Sequence, residues 1–170
     1  MNFKELIENR YSCRKFSEKK VDLKLLEEII EAGNKAPTAV NHQPFKIFLI
    51  NSEEAKQNIR KATGYTFGAD IFIIIGSKKK EGWVRSFDKQ NFADIDASIV
   101  ATHIMLKIYE MGLATTWVGY FDVSFLKTTY PNMKEYNLIA LFPIGYEAED
   151  SKPSSYHYQR KNKEEILELL

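Results

Sequence analysis

The segment from Asp94 or Asp96 to Met111 constrains this chain most. Ile95, Ile99, Thr102, Leu106 and Tyr109 recur at helical spacing and predict one apolar face. Val100, Ile104, Met105 and Ile108 cover much of the remainder. A helix that is apolar nearly all round must be covered on most sides. A chain of 170 residues has limited means of surrounding such a helix by itself. A second copy of the chain supplies the missing cover, so a homodimer is expected, with Ile99 and Ile104 at the interface. Gly112 suits the left-handed position that ends the helix.

The remaining elements alternate. Residues 3–9 predict a short helix, and Asp22 reads as the N-cap of a longer one carrying Leu26, Ile29, Ile30 and Gly33, ended by Pro37. Phe45 to Ile50 and Ile71 to Ile75 are short and rich in β-formers, with a polar amphipathic helix at 53–62 between them. Two apolar runs follow Gly112, Leu113–Phe121 and Leu138–Gly145, the second strand-like. A polar tail from Ser151 to Asn162 precedes a final helix, Lys163–Leu170. No repeat or linker divides the chain, so one domain over 1–170 is expected. The alternation gives an α+β or three-layer sandwich and leaves the strand direction open.

Composition excludes several function classes. Lys plus Arg is 24 against 23 for Asp plus Glu, a net charge of +1 that offers no basic footprint for nucleic acid. Cys13 is the sole cysteine, which rules out an internal disulfide or a multi-thiolate metal site. His42, His103 and His157 show no ligand spacing. No apolar run approaches the length of a membrane span, and the first residues show no secretory pattern. A cytoplasmic protein is the expectation. Neither a Gly-x-Gly-x-x-Gly fingerprint nor a P-loop is present.

Three stretches carry chemistry. Arg10-x-Ser12-x-Arg14 places two guanidinium groups and a hydroxyl at alternate positions, which in an extended chain point the same way and suit a phosphate. The alternative is that Arg10 complements the end of the first helix while Arg14 is a surface charge. The loop Ala36-Pro37-Thr38-Ala39-Val40-Asn41-His42-Gln43-Pro44-Phe45 offers donors and acceptors that match the edge of a uracil-like ring, or else cap their own backbone. In Gly112–Phe121, Gly119 allows a flat ligand close to the backbone beside the apolar wall of Trp117, or the run is a strand leaving the core.

In order and spacing these stretches, with Ala140–Tyr146 and Arg160 in the tail, resemble the flavin-dependent nitroreductase family over roughly residues 4 to 168. The resemblance implies a homodimeric three-layer α/β/α sandwich with a mostly antiparallel central sheet and FMN at the subunit interface. By position, Arg10, Ser12, Arg14 and Arg160 correspond to phosphate ligands. Pro37, Thr38, Asn41 and Gln43 correspond to a loop that the other subunit brings to the isoalloxazine. Trp117, Val118 and Gly119 correspond to the segment along the ring. The implied activity is ping-pong hydride transfer from NADH or NADPH through flavin N5 to a nitroaromatic, quinone or related small acceptor. A non-catalytic FMN store or sensor is the alternative. Larger members carry an Asn and a Lys near 64–70, where this chain reads Gly64-Tyr65-Thr66-Phe67-Gly68-Ala69-Asp70. Arg60 or Lys61 is the candidate substitute for that cation. Trp83, Arg85 and Phe87 are candidates for lining a channel.

Overall fold

The computed structural model describes residues 2–170. Its organising element is the strand β2 (Ile71–Ser77), buried along its whole length. Alternate side chains of a strand face opposite ways. Ile71, Ile73 and Ile75 therefore enter one apolar cluster, while Phe72 and Ile74 enter another on the far side of the sheet. A strand buried on both faces reads as the continuous β-branched run that the sequence shows.

β1 (Phe45–Ile50) and β4 (Asn137–Gly145) flank β2, and the short β3 (Ala114–Thr115) adds to the outer edge of β4. Every pairing is antiparallel. α2 (Lys24–Asn34) and α4 (Ala93–Glu110) cover one face. α3 (Glu53–Ala62) and α5 (Val123–Thr129) cover the other, through Ile59 and Leu126. The result is the three-layer α/β/α sandwich with an antiparallel sheet. α1 (Phe3–Asn9) precedes these layers, closed at its start by a reciprocal Asn2–Glu5 capping box.

The core face of α4 is Ala93, Ala97, Val100, Ala101, Ile104 and Ile108, all fully buried within the protomer. Ile104 therefore belongs to the core, contrary to its expected place at the interface. Its side chain packs so tightly on α2 that a methyl group on Gly33 would stand 2.8 Å from it. The opposite face remains open: Ile95 is 41% exposed, Thr102 is exposed, and Ile99 and Leu106 are half-buried. Gly112 has φ +73° and ends α4 as expected.

Two local expectations change, and one helix is added. The N-cap of α2 is Leu23, and the Asp22 carboxylate instead accepts the Lys24 N–H at 3.0 Å. α5 went unassigned, although Asp122 caps it by accepting the Phe125 N–H at 2.8 Å. The last helix, α6, stops at Ile166 rather than Leu170. Every residue of 163–170 is exposed, and so short a helix needs tertiary packing to persist.

Candidate functional site

The site begins where α1 ends. Arg10 caps α1 with its backbone N–H on the Leu6 carbonyl and turns into extended conformation. The chain then runs past β3, with the Cys13 N–H donating to the Thr115 carbonyl at 3.0 Å. Cys13 is buried, so its neighbours Ser12 and Arg14 face outward. The Tyr11 hydroxyl donates to Ser151 Oγ at 2.9 Å, 140 residues away, and the Tyr11 ring meets His157 edge-on. These contacts lay the tail against the N-terminal segment. Burial is the main influence on the Tyr11 phenol, whose pKa is pushed up to about 12.

Arg10, Ser12, Arg14, Ser154, Tyr156, His157 and Arg160 line a hollow of about 220 Å³. Its three guanidinium groups come from both ends of the chain, and no carboxylate lines it. None of the three arginines is among the ion pairs of the described residues. Arg160 Nη1 donates to the carbonyls of His157 and Gln159, at 2.6 and 2.7 Å, and Arg14 Nη1 donates to that of Ser12 at 3.3 Å. Converging cations without counter-charge repel one another, so the hollow favours an anion.

A second hollow, of about 210 Å³, adjoins the first and shares Arg14 with it. Trp117, Val118 and Gly119 form one side, together with Thr116 and Tyr120, and Tyr65 and Phe67 complete it. Trp117 is braced edge-on against Phe142, and Tyr65 against Tyr120. A Cβ built on Gly119 meets nothing within 4 Å. The wall is thus largely aromatic and open beside Gly119, with one cation among its lining residues. That cation is Arg14; Arg60 and Lys61, in the last turn of α3, line neither hollow.

The loop 37–43 lies elsewhere. It leads into β1 at Phe45, opposite Ser77 at the end of β2. The first hollow flanks the start of β2, where Ile71 pairs with Ile144 and Gly145 with Ala114, and the second follows Val118, which bridges Leu141 opposite Ile74 at the middle of β2. None of the loop's residues lines either hollow. The eleven residues singled out in the sequence therefore split. Arg10, Ser12, Arg14, Arg160, Trp117, Val118 and Gly119 gather in one place, and Pro37, Thr38, Asn41 and Gln43 stand at the far end of the same protomer. Within the loop, Gln43 N–H donates to Thr38 Oγ1 at 3.1 Å and Gln43 Nε2 to Asn41 Oδ1 at 3.0 Å.

Trp83, Arg85 and Phe87 line neither hollow. They belong to a hairpin in which Val84 bridges Asn91, Trp83 packs edge-on against Phe92, Arg85 pairs with Asp88, and Phe87 projects into solvent at 95% exposure. Tyr65 and Phe67 are the wall residues that sequence reasoning passed over. Their signal was the aromatic pair standing where a polar pair was sought.

A sequence profile described as the Nitroreductase family matches residues 7–65 and 64–146. The chain belongs to the nitroreductase family. A nitroreductase family protein from Clostridium difficile superposes with a TM-score of 0.90 at 33% identity, covering 99% of this chain and 98% of that one. An Exiguobacterium sibiricum protein solved in complex with FMN shares the fold, with a TM-score of 0.85 at 18% identity over 100% of this chain and 98% of that one. An NADPH-dependent oxidoreductase from Staphylococcus saprophyticus is 26% identical over 129 residues, 67% of this chain; the chain spans about half the length of that relative, 51%. The nitroreductase family comprises FMN-using NAD(P)H oxidoreductases. Among the described residues no helix is long and apolar enough to cross a membrane.

Proposed function

We propose that this chain is an FMN-dependent NAD(P)H oxidoreductase, active as a homodimer, that reduces a nitroaromatic, a quinone or a related small acceptor. One observation carries the reading: three unpaired guanidinium groups and a serine hydroxyl converge beside an open aromatic wall. A dianionic phosphate ester joined to a flat ring has that shape and charge. FMN, when bound, supplies hydride acceptance and donation at N5.

The chain's own residues bind and orient. Arg10, Ser12 and Arg160 hold the phosphate. Arg14, shared by both hollows, would supply a cation to both the phosphate and the ring of a bound FMN. Positive charge there favours the reduced, anionic flavin. Trp117 and Val118 would line one side of a bound ring and exclude water from it. Gly119 lets the backbone approach because no Cβ stands in the way.

The second protomer completes the site. Thr38, Asn41 and Gln43 line neither hollow of their own chain and would serve the site of the partner. The open face of α4, with Ile95, Ile99 and Leu106, is the apolar surface such a contact would cover.

Purified protein is expected to be yellow and to bleach anaerobically on addition of NADH or NADPH. A colourless protein that refuses added FMN ends the proposal. Tight FMN retention without nicotinamide oxidation above the free-flavin rate replaces it with a storage or sensing role.

A further inference from the structure

Asp96 is 1% exposed, in the first turn of α4. Its Oδ1 accepts the Ala39 backbone N–H at 2.9 Å, across 57 residues. Its Oδ2 is equally buried and has no hydrogen-bond partner. Removing a carboxylate from water is costly, and leaving one oxygen without a donor adds to that cost.

The gain lies in the loop that Asp96 touches. Val40, Asn41 and Gln43 have φ of 46°, 57° and 51°, all in the left-handed region. For a β-branched residue such as Val40 this is an outlier. Strained backbone persists only where its surroundings over-determine it. The other side-chain and backbone bonds of residues 38–43 stay within two to five residues along the chain: Asn41 N–H to the Thr38 carbonyl, His42 N–H to that of Ala39, Phe45 N–H to that of Gln43, and the two Gln43 bonds described above. Apart from the Phe45 N–H donating to the Gln43 carbonyl at 2.8 Å where the turn runs on into β1, the Asp96–Ala39 bond is, among the described residues, the hydrogen bond that ties this turn to another element.

We propose that Asp96 is a positioning residue for the flavin. Its buried carboxylate fixes the left-handed turn at 39–43, so that Thr38, Asn41 and Gln43 present their polar groups to the ring bound across the dimer. This rests on the function proposed above. It also explains why α4 carries an acid inside an otherwise apolar face: the same helix that meets the partner sets the loop that serves the partner's site.

Three variants of the full-length protein separate the roles. Asp96→Ala removes the acceptor, and Asp96→Asn keeps an acceptor oxygen in its place. Ala39→Pro removes the donor instead; it follows an extended Thr38 (φ −133°, ψ 157°) and opens a 3-10 turn, a position proline accepts. Amide hydrogen exchange at residues 41–43 reads the turn without any flavin. Kd for FMN and for riboflavin, with the visible circular dichroism of the bound ring, reads the site.

Asp96→Ala is expected to speed exchange at 41–43 and to weaken both flavins about tenfold, by the same factor for each because the contact is to the ring. The flavin dichroism should change, while the melting temperature holds or rises as the orphan oxygen is lost. Asp96→Asn should stay near wild type, and the Asp96→Ala/Ala39→Pro double variant should be no worse than either single one. Unchanged exchange in Asp96→Ala, or a fully additive double variant, overturns the anchor. Faster exchange with unaltered flavin affinity and dichroism overturns the link to the ring. Should Asp96→Ala fail to fold, Ala39→Pro and Asp96→Asn decide by the same readings. If the wild type takes up no flavin, the proposed function falls and the flavin role of Asp96 with it, while the exchange result still judges the anchor.

Discussion

Truncating Arg10 to alanine tests the anion hollow directly. Arg10 is half-buried, shares the hollow with Arg14 and Arg160, and faces no carboxylate there. A unit charge pair 4 Å apart near a protein surface is worth about 4 kcal/mol before the cost of desolvation. Two arginines remain in the variant and keep part of the field, and mobile ions screen the exposed side of the hollow. A charge-assisted hydrogen bond contributes about 1.5–3 kcal/mol, and we take about 2 kcal/mol as the expected loss, roughly 30-fold in Kd. Riboflavin carries the ring without the phosphate, so its affinity should be unchanged by the same substitution. Titration followed by flavin fluorescence, for FMN and riboflavin at two salt concentrations, measures both effects. Wild-type FMN affinity should fall with salt, and Arg10→Ala should flatten that dependence. Equal losses for the two flavins, or an unchanged FMN affinity, would refute the phosphate assignment.

Gly119→Ala should show the opposite selectivity: the added methyl enters open space, so the melting temperature stays put while FMN and riboflavin affinities both fall. Ile99→Glu should leave a folded protomer that elutes as a monomer and loses flavin, whereas Ile104→Glu, in the core, should fail to fold; a yellow dimer carrying glutamate at 99 would exclude the α4 interface. Tyr11→Phe should loosen the tail and weaken FMN more than riboflavin, because Arg160 loses its register. The Tyr11 pKa is raised in the fold from 10.0 to about 12, so its stabilising contribution is intact below pH 10 and lost as pH rises towards 12; an alkaline unfolding limb unaltered in Tyr11→Phe would contradict this. Burial alone would raise the Asp70 carboxyl, but bonds and charges from Lys56 and Lys20 outweigh it and hold the pKa below the usual value. Its stabilising contribution is therefore present above about pH 4 and lost as pH falls through the depressed pKa, and Lys56→Met should move the acid midpoint upward in a pH-dependent melt.

Much of the architecture was legible because periodicity reports burial. The runs at 45–50 and 71–75 and the helices at 53–62 and 93–110 announce which faces meet apolar neighbours. Direction was not legible, since a strand buried on both faces loses the alternation that distinguishes a solvated antiparallel sheet. α5 was missed because one buried leucine, Leu126, does not establish a period. Ile104 was misplaced for a related reason: a helix apolar on all sides does not show which of them faces its own sheet and which a neighbour.

By itself the sequence supplied the candidate groups, and their order and spacing, through the family resemblance, chose among the chemistries those groups allow. Arg10, Ser12 and Arg14 alternate along an extended stretch, and alternation alone aims them together. Pro37 and Pro44 bound the polar loop, and Gly119 leaves room beside an aromatic wall. These are local properties of the covalent chain. Only the tertiary structure decided who meets whom. It brought Arg160 back across the length of the chain to Arg10 through the Tyr11–Ser151 bond, made Arg14 common to both hollows, and set the loop at the far end of the sheet. It also joined Asp96 to Ala39. Such pairings depend on how layers pack around β2, and packing between residues distant in sequence leaves no periodic trace along the chain.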